Sequence, residues 1–287
     1  MSIAKILAPL SGGNHDPAIL ATAFAAAKPY NAHVEALFVR ADPRLSLPYG
    51  AVPISPDVVQ AIIDSAEEAN RVASTAARAA LKVAAGIAGV EILNRPRKAE
   101  AVTCSFKEME GRFERCASAA ARLSDLVVFN PAAIAHNPDL ADAFLETLIK
   151  TERPVLLAEQ APKAFPGKTV IAWDGSDTAA RALVAAIPVL KKANEISLLC
   201  CCDGDQAKIG TRDAEQYLAL HGLSCTNRMI DVDKRTVGEA LLASAHENSG
   251  DLMVMGGFGH SRFGEAIFGG VTQHIRWHAT LPVVMVH

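Results

Sequence analysis

Apolar and polar positions alternate along this chain in two matching passes. The first begins "AKILAPLSGGNHDPAILATAFAAAKPYNAHVEALFVRAD" and the second, from Lys168, "KTVIAWDGSDTAARALVAAIPVLKKANEISLLCCCDGD". Each gives a short β-rich run, a polar glycine turn, an alanine-rich amphipathic helix and a second apolar strand closing on an aspartate. The ends of the passes match as well: "SDLVVFNPAAIAHNPDLADAFLETLIKTERPVLLAEQ" parallels "GDLMVMGGFGHSRFGEAIFGGVTQHIRWHATLPVVMVH". Both run from a strand through a loop and a helix to a final strand led by proline. Between these ends the first pass carries a long helix opening at the cap-like Ser55-Pro56 pair, and the second a shorter one around "TRDAEQYLALHG". Each half adds one more strand, near "VEILNR" and "LSCTNRMIDV", and one more helix.

Strands alternating with helices at this spacing predict an α/β fold built as two tandem open, parallel five-stranded sheets with helices on both faces. The Pro/Gly/Lys segment "EQAPKAFPGK" divides the chain into residues 1–159 and 168–287. Ligands of such sheets bind beyond the carboxyl ends of the strands, which selects "AWDGS", "CCCDGD" and "MGGFGHSRFGEAIFGG" in the second half.

Composition narrows the function class. The chain has 287 residues, half of them hydrophobic, and a formal net charge of -3. A nucleic-acid partner calls for a clustered basic face, which this balance does not offer. No apolar run reaches membrane-spanning length and the first residues do not read as a signal peptide, so the expected location is cytoplasmic. The six cysteines form no C-x-x-C pair, and "LLCCC" reads as a buried strand. His274 and His278, four apart on a helix, lack an evident third ligand, so no metal site is expected.

Six glycines fall between Gly256 and Gly270, at a strand-to-helix junction. Such a loop lets a backbone approach an anion, and the following helix offers unpaired N–H groups and the positive end of its dipole. Asp174, ending the first strand of the second half, is placed to accept hydrogen bonds from ribose hydroxyls or to cap the next helix. His260, Ser261 and Arg262 reach a phosphate from the loop or form a solvated turn.

The spacing Gly256-x-x-Gly259, nine residues, then Gly269 resembles the ATP-binding signature of the universal stress protein family. "GGVTQHIRWHATLPVVMV" resembles that family's last helix and strand, and "VIAWDGSDTAARAL" its first strand and Asp-containing turn. The resemblance implies a Rossmann-like fold of the adenine nucleotide alpha hydrolase type, in tandem, with the last strands of the halves meeting as an intrachain pseudo-dimer. It implies a stress-response regulatory protein that binds ATP or a related adenine nucleotide. The nucleotide site would comprise Ala172, Asp174, Cys201, Met255, Gly256, Gly259, Gly269, Gly270 and Val271. Asp174 and Asp177 could hold Mg2+ beside the phosphates. Gly270 stands where the family's ATP-binding form has Ser or Thr, and Thr272 lies two residues on. In the first half, Ser11 replaces the aspartate and Asn130-Pro131 replaces the first glycine, so residues 1–159 are expected to lack the site. No catalytic residue stands out; slow ATP hydrolysis is the most that the chain would catalyse, and a nucleotide-independent interaction protein is the alternative. The residues name no protein partner, and pairing of two chains is left open.

Overall fold

In a computed structural model, the described residues are 2–46, 55–202, 210–232, 234–258 and 269–287. They form one eleven-stranded sheet flanked by helices. The first half contributes β1 (Lys5–Leu10), α1 (Asp16–Ala27), β2 (His33–Arg40), α2 (Pro56–Ala88), β3 (Glu91–Ile92), β4 (Thr103–Glu110), α3 (Phe113–Ala121), β5 (Leu126–Phe129), α4 (Pro131–His136), α5 (Pro138–Leu145) and β6 (Val155–Leu157). The second contributes β7 (Lys168–Trp173), α6 (Asp177–Leu190), β8 (Glu195–Cys202), α7 (Thr211–Leu220), β9 (Thr226–Asp231), α8 (Val237–Glu247), β10 (Leu252–Gly256), α9 (Gly270–His278) and β11 (Val283–Val286).

The strand order is β3-β4-β2-β1-β5-β6-β11-β10-β7-β8-β9. All neighbours run parallel except β6 and β11, which pair antiparallel with Leu156 opposite Val284 and Met285 opposite Val155. The two expected sheets are therefore parts of one sheet, six strands from the first half and five from the second, fused through the final strands "RPVLLA" and "LPVVMV". Both strands are buried throughout, as parallel-type strands covered on two faces should be.

One strand lies elsewhere than expected. "VEILNR" supplies only the two-residue edge strand β3, whereas β4 pairs with β2 along its full length, from His33 opposite Thr103 to Arg40 opposite Glu110. The polar character of "TCSFKEME" hides this strand, but the structure satisfies its polar groups across the ladder. His33 Nδ1 lies 2.9 Å from Thr103 Oγ1 and its Nε2 lies 2.8 Å from Ser105 Oγ. Glu35 sits between Lys5, at 2.8 Å, and Lys107, at 3.6 Å.

The helices start and stop where local chemistry dictates. Ser55 caps α2, its hydroxyl accepting from Val58 N at 3.4 Å, and Gly89 closes that helix in the left-handed region. Thr236 and Glu239 form a reciprocal capping box on α8. Ser176, not Asp174, caps α6 by accepting from Ala179 N at 3.2 Å. Asp174 instead accepts from Ser176 N at 2.9 Å, which fixes the turn between β7 and α6.

Candidate functional site

The carboxyl ends of β7 and β10, the first turn of α6, one face of α8 and the N-terminus of α9 enclose a cavity of about 250 Å³. Ala172, Asp174, Met255, Gly256, Gly269, Gly270 and Val271 all line it, so seven of the nine candidate residues meet in one place. Cys201 belongs to β8, opposite Ile230 of β9, and its side chain lies outside what the structure describes. Gly259 and the trio His260, Ser261 and Arg262 lie outside the described residues.

The glycines at the two ends of the loop serve different purposes. A Cβ on Gly256 would stand 2.7 Å from the carbonyl carbon of Thr178 and 2.8 Å from Ala179 N, so β10 meets α6 too closely for any side chain. Here glycine is demanded by protein against protein. At Gly269 and Gly270 a Cβ would find nothing within 4 Å. These two open onto the cavity at the start of a nine-residue helix that has no side-chain cap. First-turn N–H groups in that setting, with the helix dipole behind them, favour an anionic ligand group.

Thr272 lines the same wall, and Phe258 N donates to Thr272 Oγ1 at 3.2 Å, tying the strand end to α9. The accepting oxygen keeps its own O–H to donate, so Thr272 braces the strand end and still carries a hydroxyl donor beside Gly270. The exposed carboxylates of Asp174 and Asp177 face solvent at the cavity rim and the α6 start.

The remaining lining residues escaped sequence reasoning. Val237 and Leu241, one helical turn apart on α8, supply an apolar wall, and Trp173 supplies an aromatic one. The indole N–H of Trp173 is buried and has no hydrogen-bond partner among the described residues, an arrangement that costs about 1–3 kcal/mol unless some acceptor meets it. The i, i+4 spacing in "VGEALL" was visible, but nothing local directs that face toward β7. His274 and His278 stack with ring centroids 4.2 Å apart on α9, His274 lying against Gly238 of α8.

The corresponding region of the first half is closed. The carboxylate of Asp16 accepts from Gly12 N at 2.8 Å and Ser11 N at 3.1 Å, consuming the turn's donors internally. Burial raises the pKa of Asp16 against the lowering effect of these backbone and side-chain hydrogen bonds and of His15. Ala73 of α2 lies directly on the turn: a Cβ at Gly12 would stand 2.5 Å from its carbonyl oxygen. At the end of β5, Asn130 caps α4 through Ala133 N at 3.1 Å and donates to Glu159 O at 2.9 Å. No glycine cradle remains there.

Comparison with known proteins agrees with this architecture. Residues 167–287 match the model of the universal stress protein family. Among solved structures, a universal stress protein from Archaeoglobus fulgidus superposes with a TM-score of 0.62 at 18% identity, covering 98% of this chain and 95% of that one. A protein of Pseudomonas aeruginosa assigned to the universal stress proteins covers 99% of this chain and 93% of its own, with a TM-score of 0.56 at 15% identity. At such identities the structural likeness establishes the fold, over the full tandem length. No curated protein matches the chain. The second half, residues 167–287, thus matches the universal stress protein family, and the whole chain shares the fold of these structures, in a two-part arrangement joined at β6 and β11.

Proposed function

We propose that the chain is a stress-response regulatory protein that binds ATP, or a related adenine nucleotide, in the cavity of its second half. One observation carries this reading: seven residues chosen for that role line a single cavity at the carboxyl ends of β7 and β10. The donor set suits a nucleoside with an anionic tail. Asp174 has a carboxylate at the rim for ribose hydroxyls, Trp173, Val237 and Leu241 offer apolar walls for a base, and the α9 N-terminus offers backbone donors for phosphate. Asp174 and Asp177 could hold Mg2+ accompanying the phosphates.

On this reading residues 168–287 are the ligand-binding domain and residues 1–159 a degenerate copy, its site taken by Asp16 and by Ala73 of α2. The nucleotide would order the segment following Gly256 and alter a surface read by a protein partner. A second reading, an interaction protein that works without nucleotide, draws on one feature: Gly270 offers no hydroxyl to a phosphate. Denaturing the purified protein and chromatographing what it releases separates the two. Adenine nucleotide in the supernatant, or a thermal shift with MgATP that Asp174→Ala abolishes, supports the first. An empty protein with no shift at millimolar MgATP rejects it.

A further inference from the structure

The face of α2 that points away from the sheet has no covering among the described residues. This helix buries Ser74, Ala77, Leu81, Ala84 and Ala85 against the rest of the fold. Along the opposite side, apolar and small residues recur from Val58 to Val83 by alternating steps of four and three, with Ile62, Ala69, Val72 and Ala76 among them. Val58, Val72 and Val83 are 49%, 55% and 61% exposed, and Ile87 beside the same stripe is 84% exposed. Four of the ten large hydrophobic side chains exposed among the described residues thus lie on this one helix. A repeat averaging 3.5 residues is the pattern by which one helix seats its side chains between those of another.

We infer that α2 is the interface of a homodimer, packing antiparallel against α2 of a second copy with Val72 and Ala76 at the two-fold axis. In that register Val72 lies opposite Ala76 of the second copy and Ala69 opposite Ala79. Ile62 lies opposite Gly86, where the surface is open and a bulky side chain finds room. The charges beside the stripe are self-complementary in the same register. Glu68 of each copy lies along the edge that carries Lys82 of the other, giving two reciprocal pairs. Lys82 has no salt bridge among the described residues, while Glu68 holds Arg71 of its own helix at 2.6 Å in an exposed pair that Lys82 of the second copy would join. Only an isologous contact makes each pair repeat itself, and this selects a second copy over an unrelated partner. A membrane surface fits less well, since helices that lie on membranes carry mainly Lys and Arg on their polar flank, whereas α2 also carries Asp57, Asp64, Glu67 and Glu68. The contact is separate from the β6–β11 seam and from the cavity of the second half.

Light scattering and sedimentation equilibrium on the full chain at micromolar concentration provide the test. The expected mass is twice the 30.3 kDa of one chain. Val72→Glu with Ala76→Glu gives a monomer whose circular dichroism and thermal midpoint match the parent, because both positions face solvent in the single chain. Glu68→Lys alone and Lys82→Glu alone each weaken association by about tenfold, through lost attraction and new repulsion at both edges. The two changes together restore it. A parent chain that stays monomeric, a dimer indifferent to Val72→Glu and Ala76→Glu, or a double charge swap no tighter than the single ones would overturn the inference. Co-sedimentation of a monomeric parent with anionic vesicles would do so too, by assigning the face to membrane.

Discussion

Gly270→Ser restores a hydroxyl to the α9 N-terminus, and its consequence follows from the local geometry. A Cβ at this position meets no atom within 4 Å, and the backbone is outside the left-handed region, so the folded chain accommodates the side chain without rearrangement. Replacing a helical glycine gains about 0.5–1 kcal/mol, so the thermal midpoint should hold or rise slightly. A hydroxyl donating to a charged phosphate oxygen is worth about 1.5–3 kcal/mol in a dry site, and 1.4 kcal/mol is a factor of ten in affinity. Gly270 is exposed, so water competes and the lower end applies. The variant should therefore bind MgATP about tenfold more tightly than the parent by titration calorimetry. Gly270→Ala is the control, sharing the Cβ and helix gain without the donor. If Gly270→Ser binds no more tightly than Gly270→Ala, no phosphate approaches this helix end as described.

Other consequences concern the frame around the site. Leu156→Ala empties a fully buried position on the seam strand β6 and should cost about 2–5 kcal/mol, read as a single lowered thermal transition for both halves; two separate transitions would show that the seam does not couple them. Gly256→Ala forces a methyl group into the α6 backbone and should destabilise by about 1–3 kcal/mol, measured by urea unfolding in the absence of nucleotide. Burial lowers the pKa of His33 below its ordinary 6.5, although Glu35 acts in the opposite direction. The folded state therefore resists protonation more than the unfolded chain. This site's contribution is intact above pH 6.5 and is lost as pH falls through and below that value. His33→Gln should flatten that acid limb of stability against pH, and an unchanged limb would remove His33 as its source. Burial also pushes the Cys104 thiol up to about 11, so it should resist thiol reagents at pH 8 until the protein unfolds.

The second half was the more legible in sequence because its chemistry is local. "VIAWDGS" announces a strand and a turn, and the clustered glycines announce a junction with a helix; both lead to the same cavity. Long-range relations were not legible. Strand β4 reads as polar because its partners, His33 and Glu35, lie some seventy residues earlier and meet it only across the ladder. In sequence Gly256 offers room for a ligand, whereas its nearest demand is the α6 backbone. The first half's lack of an aspartate was visible at Ser11, but not that Ala73 would cover Gly12, since nothing in the helical repeat of α2 names the turn it lands on. Trp173, Val237 and Leu241 entered the cavity by the same route, through topology.

The central claim is one nucleotide cavity per chain, in the second half. Titration calorimetry of the nucleotide-free protein with MgATP measures it most directly. The account predicts one site per chain, lost in Asp174→Ala and retained in Ser11→Ala; zero sites, or two equal sites, would contradict it.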